Sequence, residues 1–109
     1  MNREMTTIEA NVLDVILNRG SFKLPVKAEK IRNDLGLSKR GLEEIVETLR
    51  FVHGHPIVAK KTQPSGYYIP RNKDEREAGI TPYRKQIATE KRNLGAVLSV
   101  DLTKYWERA

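Results

Sequence analysis

From Thr6 onward, apolar residues recur at helical spacing: Ile8, Val12, Val15 and Ile16, with Leu13 beside them. That recurrence predicts a helix with one buried stripe. Thr6 and Glu9 stand at the capping-box spacing, in which each satisfies a backbone donor of the other's turn, so the helix starts at Thr6 or Thr7. Gly20 ends it, in the left-handed conformation that glycine adopts cheaply. Residues 21–25 read as a connector, in which Phe22 and Leu24 alternate like an extended piece able to add an edge strand to a small sheet. A second helix is predicted over residues 25–35, with Pro25 in its first turn and Ala28, Ile31 and Leu35 on one face. Gly36 stops it, Leu37 turns into the core, and Ser38 caps a third helix over residues 39–53, where Leu42, Ile45, Val46 and Leu49 form the stripe. Two short helices joined by Gly36, Leu37 and Ser38 fit a helix-turn-helix.

After His53-Gly54-His55-Pro56 the period changes from 3.6 to 2. Residues 57–61 and 67–69 are β-prone, and Pro64 and Gly66 mark a loop between them, which predicts a β-hairpin, or wing. Tyr67 and Tyr68 then point to opposite faces, one onto the core and the other either available to stack or to donate to a phosphate or simply half-buried. Asn72 caps a further helix, with Glu75 at the capping-box position. Residues 79–82, Gly-Ile-Thr-Pro, predict an interruption and a fresh helix start at Thr81 and Pro82. From Tyr83 the apolar residues Ile87, Leu94, Val97, Leu98, Leu102, Tyr105 and Trp106 make a single stripe on an otherwise charged helix, with a weak point at Gly95.

This pattern predicts an α+β chain, mainly α. A winged helix-turn-helix occupies residues 1–71, and a C-terminal helical extension occupies 72–109. The stripe around Leu94, Leu98, Leu102, Tyr105 and Trp106 has two uses: folding back on the first helix, or pairing with the same helix of a second chain in a homodimer.

Charge changes the picture of partners. The chain of 109 residues carries 20 Lys and Arg against 14 Asp and Glu, a net +6. Residues 56–73 hold Lys60, Lys61, Arg71 and Lys73 and no acid, so +4 of the +6 lies on the hairpin and its exit. An acid-free basic hairpin favours a polyanion. The third helix is balanced, with Lys39, Arg40 and Arg50 against Glu43, Glu44 and Glu47. Its first turn carries the chemistry expected at a major groove. Ser38 and the helix-start N–H groups suit a phosphate, and Arg40 can bond guanine bidentately. Glu44 belongs to this surface if it lies over a groove and accepts from cytosine. On the wing, Lys60, Lys61, Gln63, Ser65 and Arg71 are the candidate contacts to double-stranded DNA. The ordinary alternatives are a solvated helix face with Arg40–Glu44 and Glu47–Arg50 ion pairs, and lysines that guard an exposed hairpin edge. The acidic face of the third helix also fits a protein–protein module that binds a host protein.

Other chemistry is poorly represented. The chain has no cysteine, which removes disulfides and thiolate metal sites and suits a reducing cytoplasm. His53 and His55 lack the further ligands of a zinc set, so neither metal nor cofactor is expected. No nucleophile–base pair, phosphate-binding glycine loop or carboxylate pair marks an enzyme. Glu4, Glu9 and Asp14 interrupt any signal-peptide core, and no apolar run has the length of a membrane span.

Arg40, Ile45, Val46, Leu49, Arg50, Pro56, Ile57, Gly66, Tyr67, Tyr68 and Ile69 stand in the order R…IV..LR…PI…GYYI. Over roughly residues 6–90 this resembles small winged-helix proteins of bacteriophages and prophages. The resemblance implies DNA contact by the helix that starts at Lys39 and by the wing at residues 60–66. It also implies a role in phage gene regulation, excision or replication initiation inside the bacterial host cell.

Overall fold

The computed structural model describes residues 4–108. It is mainly helical, with helices α1 (Thr7–Arg19), α2 (Ala28–Leu35), α3 (Lys39–Phe51), α4 (Lys73–Leu98) and α5 (Leu102–Arg108). Strands β1 (Val58–Lys60) and β2 (Gly66–Tyr68) stand between α3 and α4. They pair antiparallel in the register Val58 with Tyr68, Ala59 with Tyr67 and Lys60 with Gly66.

Helix α1 begins as its capping box dictates. The Thr6 hydroxyl accepts from the Glu9 N–H, and the Glu9 carboxylate accepts from the Thr6 N–H. Its stripe of Val12, Leu13 and Ile16 packs with Ile31 of α2, with Leu42, Val46 and Leu49 of α3, and with Val26 and Ile57. Gly36 closes α2 in the left-handed region at φ 67° and ψ 39°, and the Ser38 hydroxyl opens α3 by accepting from the Gly41 N–H. Residues 36–38 therefore form the expected tight turn between two helices.

Five local expectations change. Gly20 is extended, at φ −98° and ψ 140°, not left-handed. A side chain there would begin 2.8 Å from the Tyr67 carbonyl oxygen, so this glycine serves close approach. The edge-strand piece is Val26, not Phe22 and Leu24. Val26 exchanges two backbone hydrogen bonds with Tyr67, of 2.9 and 2.8 Å, whereas residues 21–24 close on themselves, the Leu24 N–H donating to the Ser21 hydroxyl. That bridge holds Val26 in extended conformation, so α2 starts at Ala28 and Pro25 precedes it. Helix α3 ends at Phe51, because the Val52 and His53 N–H groups share the Thr48 carbonyl.

The fifth change is the largest. Residues 79–82 do not break α4, which runs through Pro82 for 26 residues. Gly79 is buried against the Tyr68 hydroxyl and Val58, so it serves packing and not a chain break. Thr81 does not cap a new helix; its hydroxyl donates to the Glu77 carbonyl one turn back. The bond that Pro82 cannot make would have gone to the Ala78 carbonyl, on a residue open to water. The break falls later, at residues 99–101. There the Ser99 hydroxyl donates to the Ala96 carbonyl, and Asp101 accepts from the Lys104 N–H to start α5.

The hairpin has two occupied faces. Ile57, Tyr67 and Ile69 lie on the three-helix core. Val58 and the fully buried Tyr68 face the other way, under the first turns of α4. From Arg84 to Arg108 every residue is exposed. The radius of gyration is 18.8 Å, against about 13 Å for a compact chain of this length. The molecule is a packed body reaching to Tyr83, with a projecting helical arm.

Candidate nucleic-acid interface

The first turn of α3 is open to solvent. Ser38, Lys39 and Arg40 are all exposed, as are Glu43, Glu44 and Glu47 farther along. The Ser38 oxygen caps the helix at 2.9 Å from the Gly41 nitrogen, which leaves its own proton to donate. Arg40 Nε reaches Glu44 Oε1 at 3.3 Å, with both side chains largely in water. An exposed pair at this spacing contributes about 0.3–0.5 kcal/mol, too little to hold Arg40 against a phosphate or a guanine. The Glu47–Arg50 pair does not form. Arg50 Nε instead donates to the Ile57 carbonyl at 2.8 Å and ties α3 to the hairpin.

On the hairpin, the two lysines differ. Lys60 Nζ donates to the Phe22 carbonyl at 3.0 Å and lies 4.2 Å from the centre of the Phe22 ring. It clamps the 21–24 turn to β1 and is only half-exposed. Lys61 is exposed and rests over the Tyr83 ring at 4.9 Å. Such contacts are worth about 0.5–1 kcal/mol at exposed sites, so Lys61 is free to exchange its partner. Gln63 and Arg71 are exposed and Ser65 is half-buried. The Arg71 N–H donates to the Glu75 carboxylate at 2.9 Å, so the α4 cap is a capping box displaced by one residue.

Tyr68 is not available as a phosphate donor, because it is buried and its hydroxyl donates to the Glu75 carbonyl at 2.9 Å. Tyr67 is half-buried: it packs on the core and also lines a cleft beside β2. Burial is the main cause raising the pKa of both, and of Tyr83, above the ordinary phenol value; the Arg50 guanidinium partly offsets it at Tyr67 and Tyr83. The outer edge of β1 is not guarded by its lysines. Arg50 occupies the Ile57 carbonyl, and the Tyr83 hydroxyl donates to the Ala59 carbonyl at 2.7 Å.

A cleft joins the hairpin to the start of α2. Lys27, Ala28 and Glu29 face Lys60, Gln63, Ser65 and Gly66 across it. Lys27 is the residue that sequence reasoning missed. Its proximity follows from the Val26–Tyr67 bridge, a long-range pairing that no local pattern announces. Also unannounced is His53, whose side chain is buried beside that of Glu9, with Nε2 at 3.3 Å from Oε1. The contact sets the chain just after α3 against the first turn of α1. Among the described residues no group of three or more His, Cys, Asp or Glu is placed to hold a metal ion, and no helix is long and apolar enough to cross a membrane. Leu94, Leu98, Leu102, Tyr105 and Trp106 are all exposed on the arm, and of these Leu102, Tyr105 and Trp106 line one apolar hollow.

Comparison with protein-family models, with curated proteins and with solved structures gave no match.

Proposed function

We propose that residues 7–83 form a winged helix-turn-helix that binds double-stranded DNA, with α3 entering a major groove and the hairpin holding the flanking backbone. The order of elements supports this reading: a three-helix core whose second and third helices meet in a tight turn, then a hairpin extended by one bridge at Val26. The observation that carries it is the acid-free segment 56–73 with its four cations, reached across the cleft by Lys27. In this reading Lys61, Arg71, Lys27, Gln63 and Ser65 meet phosphates, Ser38 and Lys39 anchor the helix start, and Arg40 reads a base. Lys60, held by the Phe22 carbonyl, clamps the hairpin to the 21–24 turn. The role that goes with such a module is that of a transcriptional regulator, or of a replication or excision accessory of the phage type, in the cytoplasm of the host cell.

Selection of bound duplexes from a random pool, followed by titration at several salt concentrations, tests the reading. Lys61→Ala and Arg71→Ala should weaken binding to every duplex and lower the slope of log affinity against log salt by about 1 each. Arg40→Ala should relax preference at one position, at a cost of about 1–3 kcal/mol for the preferred base. A salt slope that neither alanine moves would remove the wing from the interface.

One observation favours a second reading. The exposed face of α3 beyond its first turn carries Glu43, Glu44 and Glu47, and Arg40 is already paired to Glu44. A module that docks a basic host protein on this face would pass through heparin and random duplex DNA at low salt without retention.

A further inference from the structure

We propose that the arm formed by the end of α4 and by α5 pairs, in antiparallel sense, with the same arm of a second copy of this chain. Every residue from Arg84 to Arg108 is exposed. Val97 and Leu98 are each 73% exposed and Trp106 is 68% exposed; Ile87, Leu94 and Leu102 are also open. Val100 and Tyr105, at 47% and 49%, are open too. Eight large apolar side chains of one arm thus stand in water, where a soluble monomer leaves only limited apolar patches uncovered.

Two further observations choose the occupant and its direction. Ala96, Val97, Val100, Leu102, Tyr105 and Trp106 line one apolar hollow between the end of α4 and α5. The apolar ridge that can fill such a hollow, Ile87, Leu94 and Leu98, is on the same arm, so the surface carries both halves of a self-complementary contact, as a two-fold pairing requires. Charge sets the direction. Residues 84–92 hold Arg84, Lys85, Lys91 and Arg92 against Glu90, whereas residues 99–108 hold Lys104 and Arg108 against Asp101 and Glu107. Parallel arms would set the basic half against its own copy. Antiparallel arms set it against the half that holds Asp101 and Glu107, with the uncharged stretch 93–100 at the centre.

Gly95 lies in that central stretch. A helix-interior glycine weakens a helix relative to alanine, and no atom within 4 Å of where its Cβ would stand accounts for it in this chain. Close approach of a second helix does.

Sedimentation equilibrium of the full chain tests the pairing. A concentration-dependent dimer is expected, lost in Leu98→Glu while the circular-dichroism spectrum and thermal transition remain those of a folded body. A wild-type chain that stays monomeric up to about 100 µM, or a Leu98→Glu chain that still dimerises, would overturn it. The chain has no cysteine, so engineered ones report direction. Mixed Lys85→Cys and Lys104→Cys chains should form the mixed disulfide in excess over the Lys85→Cys self-disulfide; the reverse would overturn the antiparallel arrangement. Neither measurement involves nucleic acid, so the pairing and the DNA reading stand or fall separately.

Discussion

Tyr68 shows how much one residue decides here. It is wholly buried, it fills the space between β1 and α4, its ring meets Phe22 edge-on at 5.6 Å, and its hydroxyl bonds the Glu75 carbonyl. Gly79 must lack a side chain for α4 to approach it, since a Cβ would also stand 2.8 Å from a Val58 methyl. Gly79→Ala should therefore destabilise the body by about 1–3 kcal/mol, as overpacking does, read as a lower urea midpoint with an unchanged slope. The buried phenols also make a pH prediction. Burial, helped by Glu75 and Tyr83, raises the pKa of Tyr68 above its ordinary value of 10.0. The unfolded chain loses that proton near the ordinary value, whereas the folded chain keeps it to higher pH. The stabilisation is fully present below the unfolded value and is lost as pH rises through the folded one. Urea midpoints should thus fall as pH is taken above 10, and more shallowly in Tyr68→Phe, although that variant also loses the bond to Glu75.

At the scale of elements, the tight turn between α2 and α3 was legible because its signals are local. Ser38 caps, Leu42, Val46 and Leu49 repeat at helical spacing, and Gly36 takes a positive φ that other residues resist. Gly36→Ala should cost about 1 kcal/mol, although the space beside it is empty; an unchanged thermal midpoint would show that the turn relaxes. The hairpin was legible from its alternation and its loop residues, whereas the continuity of α4 was not. Gly79, Thr81 and Pro82 carry the same letters as a helix break. They remain helical because Gly79 packs under Tyr68, Thr81 bonds back to Glu77, and Tyr83 bonds across to Ala59. The hairpin lysines looked equivalent for the same reason: nothing local says that Lys60 will meet Phe22, 38 residues earlier.

The whole molecule measures 60 × 31 × 29 Å, a length that belongs to the arm. Helix α4 is shared between two tasks. Its first turns close the body over the hairpin, and the remainder carries apolar side chains outward. Removing residues 86–109 should leave the thermal midpoint of the body unchanged at concentrations where the intact chain is monomeric, measured by circular dichroism. A large drop would mean that the arm returns to the body.

The sequence by itself determined the helices of the core, the capping box of α1, the Gly36 and Ser38 caps, the tight turn before α3, the hairpin and the concentration of positive charge on it. Each of these is written in residues a few positions apart, where backbone hydrogen bonding and side-chain period act directly. Only the tertiary structure decided that Val26 completes the sheet, that Lys60 is bound to the Phe22 carbonyl while Lys61 is open, that α4 passes through Pro82, and that the last stripe stays uncovered. Those outcomes depend on which distant surfaces meet, and burial against a distant partner outweighs the local preferences of glycine, proline and lysine.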